Sequence, residues 1–265
     1  MSSIPTIQSV LDAIVAAIPG APLARTVDTV KLGDPARPVT GVAVTFMATL
    51  AVAEAAVRRG ANLIITHEPT FFSHLDTTDW LQGDPVFEGK HRFLEEHGLV
   101  LWRFHDYPHF MRPDAILQGM LQELGWEKYA LPGKPAVSHI PPMPLKELAT
   151  QLKSALGIRT LRFIGDPDLT CRRIGLAPGA PGGENQIRVL MAGEVDVLVT
   201  GEVSEWEVSE YVRESCHLGR PLALIVLGHV WSEEAGMKRL TPWLQSLIPS
   251  VPVQFLPVEN PFHWQ

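Results

Sequence analysis

The chain has 265 residues, of which 46% are hydrophobic and 19% are charged, so a large buried core is expected and disorder is excluded. The net charge of −7 excludes a strongly basic surface, which makes nucleic acid an unexpected partner. Two cysteines, Cys171 and Cys216, are too few for a disulfide scaffold. The N-terminus has no basic leader and no apolar run reaches about 18 residues, so we expect a cytoplasmic protein without a membrane segment.

In the first half of the chain, helical and strand patterns of apolar residues alternate. Helices are predicted at 6–18, 49–59, 87–97 and 113–124, and strands at 40–46, 61–66 and 98–104. Gly60 is expected to end the second helix. The strand at 61–66 is almost wholly apolar, which is typical of a parallel sheet that is covered on both faces.

The same alternation resumes after residues 131–144, which contain five prolines and a glycine and are therefore predicted to form a linker. Helices are predicted at 144–156, 185–193, 205–216 and 236–248, and strands at 159–165, 171–178, 195–201, 221–228 and 251–257. Helices of this length between buried strands indicate βαβ units in a three-layer α/β/α arrangement.

The two halves of the chain share an internal similarity. Residues 54–68 (EAAVRRGANLIITHE) align with residues 188–202 (RVLMAGEVDVLVTGE), and each segment is followed by a helix and a second apolar strand. Any two βαβ units look alike, but here polar residues recur at the same strand ends. We therefore predict a duplication into two similar domains, 1–131 and 132–265, which are possibly intertwined.

Four predicted strands end in side chains that can bind a metal ion or transfer a proton. In chain order these side chains are His67 and Glu68; His105, Asp106 and His109; Glu202; and His229 with Glu233. Ligands of open α/β sheets gather at the carboxyl ends of strands. A lone histidine after a strand is usually a turn residue, but several such groups predict a metal site. Mixed imidazole and carboxylate ligands favour zinc, manganese or iron.

Three sequence features that could belong to a functional site also have simpler structural interpretations. His229 and Glu233 are four residues apart, which on a helix gives two ligands on one face, but the same spacing suits a capped helix start. The glycine-rich run at 179–186 lacks a P-loop lysine and is expected to be a turn. His74 and Asp76 are expected to cap a turn.

The segments ANLIITHEP, RFHDYPH, TGE and GHVWSEEAGM, together with PVENPF near the end, resemble the NIF-three-like family of dinuclear-metal hexameric proteins, the GTP cyclohydrolase type-2 homologues. The resemblance extends from about residue 6 to residue 262. It implies two similar intertwined three-layer α/β/α domains, two divalent metal ions per chain and a homo-hexamer.

The chain departs from the family pattern at two positions. The family has two adjacent histidines where this chain has His67 and Glu68, and an aspartate where it has His109. By resemblance both positions bind the same ion, so the exchange keeps one imidazole and one carboxylate on it. Alternatively, Asp106 supplies the carboxylate and His109 only supports it.

The resemblance implies a ligand set residue by residue. His67, His229 and Glu233 would hold one ion, and Glu68 and His109 would hold the other, with Glu233 as the bridge between the two ions.

Three further residues, His105, Asp106 and Glu202, are expected to be either additional ligands or hydrogen-bonding partners that orient a ligand. Two ions would make the protein a metal-dependent hydrolase of a nucleotide-like, cyclic amide or phosphoester substrate. The alternatives are a metal-binding protein-interaction module without catalysis and a metal-free scaffold with structural histidines.

Overall fold

The computed structural model describes residues 4–263 and shows a mixed α/β protein. The α-helices among these residues are α1 (Ile7–Ala16), α2 (Leu50–Arg58), α3 (Pro85–Glu96), α4 (Asp106–Phe110), α5 (Ala115–Glu123), α6 (Leu145–Leu156), α7 (Gly183–Met191), α8 (Glu210–His217) and α9 (His229–Leu247). The strands are β1 (Val30–Leu32), β2 (Val42–Thr45), β3 (Leu63–Thr66), β4 (Val100–Arg103), β5 (Ala130–Leu131), β6 (Lys134–Pro144), β7 (Arg162–Ile164), β8 (Thr170–Ala177), β9 (Val197–Thr200), β10 (Ala223–Val226) and β11 (Val253–Phe255). No helix within this range combines the length and the apolarity that crossing a membrane requires.

The chain divides into two compact units that are interleaved in sequence. The first unit consists of Met1–Ala115 and Met237–Glu259, and the second of Ile116–Gly236 and Asn260–Gln265. Each unit contains one sheet with helices, which confirms the predicted α/β class. The halves 1–131 and 132–265 divide the chain differently, and the duplication that they describe remains a prediction.

The first unit contains a five-stranded sheet in the order β1-β4-β3-β2-β11. Strands β4, β3, β2 and β11 run parallel, and β1 pairs antiparallel with β4 at one edge. Every residue of β2, β3 and β4 is buried, as the apolar sequence of 61–66 predicts. The carboxyl ends of β3 and β4 are therefore neighbours, with Thr66 paired to Arg103.

The second unit contains a six-stranded sheet in the order β5-β6-β8-β9-β10-β7. Its central strands β8, β9 and β10 are parallel, whereas β5, β6 and β7 pair antiparallel. Alternate residues of β9 enter different apolar clusters: Val197 and Val199 lie in one and Leu198 in the other. Both faces of this sheet are thus covered, which gives the three-layer packing that the sequence predicts.

Local sequence explains where several helices begin. The Thr6 hydroxyl accepts a hydrogen bond from the Ser9 N–H at 3.2 Å at the start of α1, and Thr49 accepts from the Val52 N–H at 3.2 Å at the start of α2. Such side-chain caps satisfy N–H groups that have no partner in the first helical turn. Gly60 ends α2 with a positive φ of 73°, as predicted.

The linker prediction for residues 131–144 is wrong. Residues Lys134–Pro144 form β6, which pairs with β5 on one side and β8 on the other. The register shifts between His139 and Met143, so the two prolines in between lie where the ladder is irregular. A proline has no N–H to donate and is tolerated at such a bulge, and proline content is therefore a poor indicator of a linker here.

Two helices differ in detail from their predictions. The helix predicted at 236–248 begins seven residues earlier, at His229, and Pro242 lies inside it. The helix predicted at 205–216 starts with a π-helical segment, Glu205–Ser209, before α8. Strand β1 and helix α4 were not predicted. Both are short, and neither has enough apolar periodicity to be recognised.

Candidate metal centre

His67 follows β3 directly and is fully buried. Its Nδ1 atom lies 3.1 Å from the carbonyl oxygen of Phe104, which follows the neighbouring strand β4. A carbonyl oxygen can only accept, so Nδ1 carries the hydrogen, and in the neutral ring Nε2 then carries the lone pair. Hydrogen bonding thus fixes the tautomer in which Nε2 can bind a metal.

Two more histidines converge on His67. His105 follows β4, and His109 lies on α4, the short helix that starts at the next residue. One ligand atom from each of the three imidazoles lies within 4.8 Å of the others. The ring centroids of His67 and His105 are 4.7 Å apart, and those of His67 and His109 are 5.2 Å apart. Three imidazoles from two adjacent strand ends therefore meet in the first unit.

Each of these two histidines is oriented by a carboxylate. His105 Nδ1 lies 2.9 Å from Asp106 Oδ1, and His109 Nδ1 lies 3.0 Å from Asp114 Oδ2. A carboxylate that holds one ring nitrogen is the usual companion of a metal-ligating histidine, because it fixes the tautomer and the plane of the ring. Asp114 was not among the predicted residues.

Burial keeps His105 neutral. It lowers the pKa of His105 to about 4, and the hydrogen bond to Asp106 opposes this shift. Burial alone would raise the pKa of Asp106, but hydrogen bonds from His105, Val27 and Thr26 hold it below its ordinary value. At neutral pH this pair is therefore an uncharged imidazole beside an ionised carboxylate.

Glu68 lies beside these histidines. Its Oε1 is 3.9 Å from His105 Nε2, and its Oε2 is 3.9 Å from a guanidinium nitrogen of Arg103. The glutamate is 9% exposed, so its charge is largely withdrawn from water. Such a carboxylate needs nearby cations, which Arg103 provides in the structure and a metal ion would add.

Arg103 is a residue that the sequence analysis missed. It closes β4, is fully buried, and donates from Nε to the carbonyl of His67 at 2.9 Å and from Nη1 to the carbonyl of His74. Its Nη1 is also 3.6 Å from the carboxylate of Asp76. Asp76 in turn accepts the Phe71 N–H at 2.8 Å, as the expected turn cap. Arg103 thereby fixes the loop after β3 to the end of β4.

Asp28 is the second missed residue. Its carboxylate is 6% exposed and accepts the backbone N–H groups of His105, Asp106 and Tyr107 at 2.8–2.9 Å. Burial raises the pKa of Asp28, although these three hydrogen bonds oppose the rise. Asp28 therefore fixes the backbone that carries His105. Arg103 ends an otherwise apolar strand, and a charged residue in that position could have indicated a structural role. The sequence around Asp28 contains no comparable indication.

A second group of ligand-type side chains lies in the second unit. His229 begins α9, with Nδ1 at 3.0 Å from Glu202 Oε1 and Nε2 at 3.0 Å from Glu233 Oε2. Glu202 follows β9, and its hydrogen bond with His229 lowers the pKa of its carboxyl group, against a smaller effect of burial. The i, i+4 pair thus shares one helix face, as its spacing predicted.

Two glycines make room for this group. A side chain at Gly179 would bring its Cβ to 2.2 Å from Glu233 Oε1, and one at Gly201 would bring its Cβ to 2.4 Å from the Ser232 hydroxyl. That hydroxyl accepts the Gly179 N–H at 2.9 Å and donates to the His229 carbonyl at 2.7 Å. Residues 179–182 of the glycine-rich run precede α7, as predicted, whereas residues 183–186 already belong to that helix. Gly179 packs against the Glu233 carboxylate.

The donor set fits a divalent transition metal. In each unit imidazole nitrogens and carboxylate oxygens lie close together, and the Nδ1 atoms of His67, His105, His109 and His229 each face an oxygen at 2.9–3.1 Å. This leaves Nε2 as the ligand atom of each ring when Nδ1 carries the hydrogen. Such nitrogen and oxygen donors suit zinc, manganese or iron.

The fold and these groups define an α/β protein with candidate metal ligands at the carboxyl ends of its parallel strands. The chain belongs to the Duf34/NIF3 (NGG1p interacting factor 3) family, whose sequence profile matches residues 7–261. This confirms the resemblance drawn from the sequence motifs.

Individual relatives are similar over most of the chain. The GTP cyclohydrolase 1 type 2 homolog of Yersinia pestis is 29% identical over 240 residues, which is 86% of each chain. The protein of the same name from Escherichia coli (strain K12) is 27% identical over 239 residues, which is 84% of each chain.

Solved structures share the fold. A Bacillus cereus protein related to NIF3 has a TM-score of 0.79 at 15% identity, with 100% of both chains covered. A Staphylococcus aureus hypothetical protein has a TM-score of 0.77 at 18% identity, with 98% of this chain and 99% of that chain covered. At these identities the likeness extends to the fold alone.

Proposed function

We propose that this protein is a dinuclear metal-dependent hydrolase that acts on a nucleotide-like, cyclic amide or phosphoester substrate. One observation carries the proposal: the imidazoles of His67, His105 and His109 converge, with one ligand atom of each within 4.8 Å of the others. Their Nδ1 atoms face oxygens at 2.9–3.1 Å, which makes Nε2 the ligand atom when Nδ1 carries the hydrogen. The name that the relatives carry, GTP cyclohydrolase 1 type 2 homolog, supports a nucleotide-like substrate.

The proposed ligand set follows the family resemblance. By this resemblance, His67, His229 and Glu233 would hold one ion, and Glu68, His109 and Glu233 would hold the other. The 3.0 Å distance between His229 Nε2 and Glu233 Oε2 supports the first part of this assignment, because both atoms face the same small volume. His105, whose ligand atom lies with those of His67 and His109, is an additional ligand.

Hydrogen bonding favours His109 over Asp106 as a ligand. Asp106 Oδ1 lies 2.9 Å from the His105 ring, and its Oδ2 accepts both the Thr26 hydroxyl and the Val27 N–H at 2.9 Å. With both oxygens engaged, Asp106 orients His105 rather than binding an ion. This supports the compensated exchange, in which Glu68 supplies the carboxylate that the family pattern places at residue 109.

The chain's own residues prepare the site for hydrolysis. Two bound ions would lower the pKa of a bound water and polarise an amide or phosphoryl group. Glu202 orients the His229 ring, and its side chain is 56% exposed, so it can take up a proton from the site and release it to solvent. Asp106, which is held by three donors, keeps its position and its charge.

The resemblance also supports a homo-hexamer in the cytoplasm. Cys171 and Cys216 are both free thiols, as expected for a reducing compartment. Light scattering coupled to gel filtration tests the assembly: six times the mass of one chain supports the hexamer, and a monomeric mass refutes it.

The experiment for the main proposal combines metal analysis with turnover. Protein reconstituted with zinc, manganese or iron is quantified by mass spectrometry of the metals and assayed against nucleotides, cyclic amides and phosphodiesters. We expect two ions per chain and a hydrolytic activity that falls roughly 100-fold or more in Glu233→Gln. The matched control is Glu184→Gln, an exposed glutamate that pairs with Arg188 on α7.

The outcomes separate the alternatives. A fully loaded protein that hydrolyses none of these substrates is a metal-binding module, and the hydrolase proposal is then wrong. A protein that retains no metal after reconstitution is a metal-free scaffold. Equal activity in Glu233→Gln and Glu184→Gln would refute the assignment of Glu233 even if hydrolysis is observed.

A further inference from the structure

An open groove of about 500 Å³ lies in the first unit between the loop after β3 and the start of α3. Its volume is within the range of small-molecule sites, which are usually apolar with a few placed polar groups. The groove begins at Pro69, the residue after Glu68. None of the residues proposed as metal ligands lines it, so it is a separate surface of the protein.

The walls of the groove are apolar and exposed. Leu50, Phe72 and Val86 line it and are 41%, 56% and 64% exposed, although large apolar side chains are usually withdrawn from water. Phe72 also adopts a positive φ of 59°, which is a costly conformation for an aromatic residue. The chain therefore spends conformational energy where it presents an aromatic ring to this groove.

Lys90 supplies the only charge among the groove-lining residues. It is 9% exposed, and its ammonium donates to the Thr70 carbonyl at 2.6 Å and lies 5.7 Å and 5.5 Å from the ring centroids of Phe71 and Phe72. Burial lowers the pKa of Lys90 to about 8, against the opposing charge of Asp76. The amine is therefore mostly protonated at neutral pH, and two of its three N–H donors remain after the bond to Thr70.

We infer that this groove binds a planar aromatic ligand that carries one negative charge, with its ring against Phe72 and Val86 and its anionic group at the Lys90 ammonium. The apolar walls favour a ring. The poorly solvated ammonium favours an anion, because an opposite charge compensates for the water that the ammonium loses, whereas a neutral ligand of the same shape does not. A protein segment fits less well, because its backbone amides would lose water against walls that offer almost no hydrogen bonds.

The test compares two probes of the same shape by calorimetric titration. Naphthalene-2-sulfonate carries the anionic group, and methyl 2-naphthyl sulfone is its neutral counterpart. We expect one sulfonate bound per chain, with an affinity about tenfold or more above that of the sulfone. Both titrations are run on the full chain as purified and after removal of metal by a chelator. We expect the same affinities for the protein as purified and for the metal-free protein. The result for the groove is therefore independent of whether the metal proposal is correct.

Variants locate the site. Val86→Asp places a negative charge on an exposed wall and should weaken sulfonate binding about tenfold or more, and Lys90→Met should reduce it to the affinity of the sulfone. Leu218→Asp is the matched control, since Leu218 is 73% exposed and lies outside the groove. Equal binding of both probes, or equal weakening by Val86→Asp and Leu218→Asp, would overturn the inference.

Discussion

The end of β3 in the first unit and the end of β9 in the second are built alike but supply ligands differently. The Thr66 hydroxyl donates to the Glu68 carbonyl at 3.0 Å, and the Thr200 hydroxyl, which donates to the Ala177 carbonyl at 2.7 Å, lies 3.4 Å from the Glu202 carbonyl. Between the threonine and the glutamate, the first unit has the buried His67 and the second has a glycine. The same turn thus carries an imidazole in one unit and leaves space in the other.

The supports of the two sites also differ in burial. In the first unit, the fully buried Arg103 and the 6% exposed Asp28 hold the ligand-bearing backbone. In the second, Glu202, whose side chain is 56% exposed, orients the imidazole of His229. A buried support is costly to remove because it leaves other charges without a partner, whereas an exposed one is replaced by water. Substitutions of the buried supports in the first unit should therefore lower the stability of the fold, whereas substitution of the exposed Glu202 in the second unit should affect metal binding without a comparable loss of stability.

The largest expected effect is the loss of the buried arginine. Arg103→Met removes the nearest cation from the buried Asp76 carboxylate and a hydrogen-bond donor from the His67 and His74 carbonyl groups. It should lower the free energy of unfolding by about 3–5 kcal/mol. Arg173→Met in the second unit removes a pair with Asp196 in which the arginine side chain is 43% exposed, so about 1 kcal/mol is expected. Urea denaturation of both variants measures the difference. Equal losses would mean that burial does not distinguish the two units.

The second effect concerns Gly201, which lies between Thr200 and Glu202 in the same way as His67 lies between Thr66 and Glu68. Gly201→Ala drives a Cβ against the Ser232 hydroxyl and the Gly179 carbonyl, and overpacking of this kind should destabilise the protein by about 1–3 kcal/mol.

Gly89→Ala is the matched control for this substitution, because Gly89 lies on α3, where an added Cβ would meet no other atom within 4 Å. It should stabilise the protein by about 0.5–1 kcal/mol, since alanine is the better helix former. Thermal denaturation gives both values. A Gly201→Ala protein as stable as the wild type would show that the second unit can accept a side chain there.

A third effect separates metal affinity from stability. Glu202→Gln removes the charge that orients His229 but leaves an exposed polar group, so metal affinity should fall about 10–100-fold while the melting temperature of the metal-free protein is unchanged. Competition with a chromogenic chelator measures the affinity, with Glu184→Gln as the control. An unchanged affinity would remove Glu202 from the proposed centre.

The smallest effect is a pH dependence in the second unit. Burial alone would raise the pKa of Asp196, but hydrogen bonds from Arg173 and from the backbone N–H groups of Arg172 and Arg173 hold it below its ordinary value of 3.8. A lowered pKa in the folded state means that this stabilisation is present above about pH 4 and is lost as the pH falls through the folded-state value.

Asp196→Asn should therefore cost about 1 kcal/mol at pH 7 and progressively less below pH 4. Unfolding curves recorded between pH 3 and pH 7 test this. A difference between variant and wild type that stays constant over that range would contradict the assignment.

Apolar periodicity predicted the central elements of both sheets because their strands are buried on both faces. Apolar periodicity failed for β6. Pro141 and Pro142 lie at a register shift in this strand, and their presence made the composition of the segment look like that of a linker. Apolar periodicity also placed the start of α9 too late, since the first turn from His229 to Glu233 carries ligand-type residues instead of an apolar stripe. At the start of α9, ligand-type residues take the positions of an apolar stripe, and in β6 an irregular pairing accommodates prolines. In both segments the apolar pattern from which elements are predicted is therefore missing.

Much of the candidate site was predictable because strand ends are marked in sequence. His67 directly follows β3, His105 lies between the end of β4 and the start of α4, and His229 begins α9. Their supports were not predictable in the same way. Asp28 contacts a segment 77 residues away, through backbone N–H groups that no side-chain pattern records. Such long-range hydrogen bonds depend on tertiary structure, which a single sequence does not specify locally.

The pairing of β11 with β2 has a consequence for synthesis of the protein. Val253 lies beside Val42, so the first sheet obtains this edge strand only after β5 to β10 of the second unit have been translated. A nascent chain that has left the ribosome through residue 115 exposes the open side of β2 while the intervening residues are being translated. Until β11 has been translated, the unpaired edge of β2 can pair with the strands of other incomplete chains, and chaperone protection would matter most during this interval.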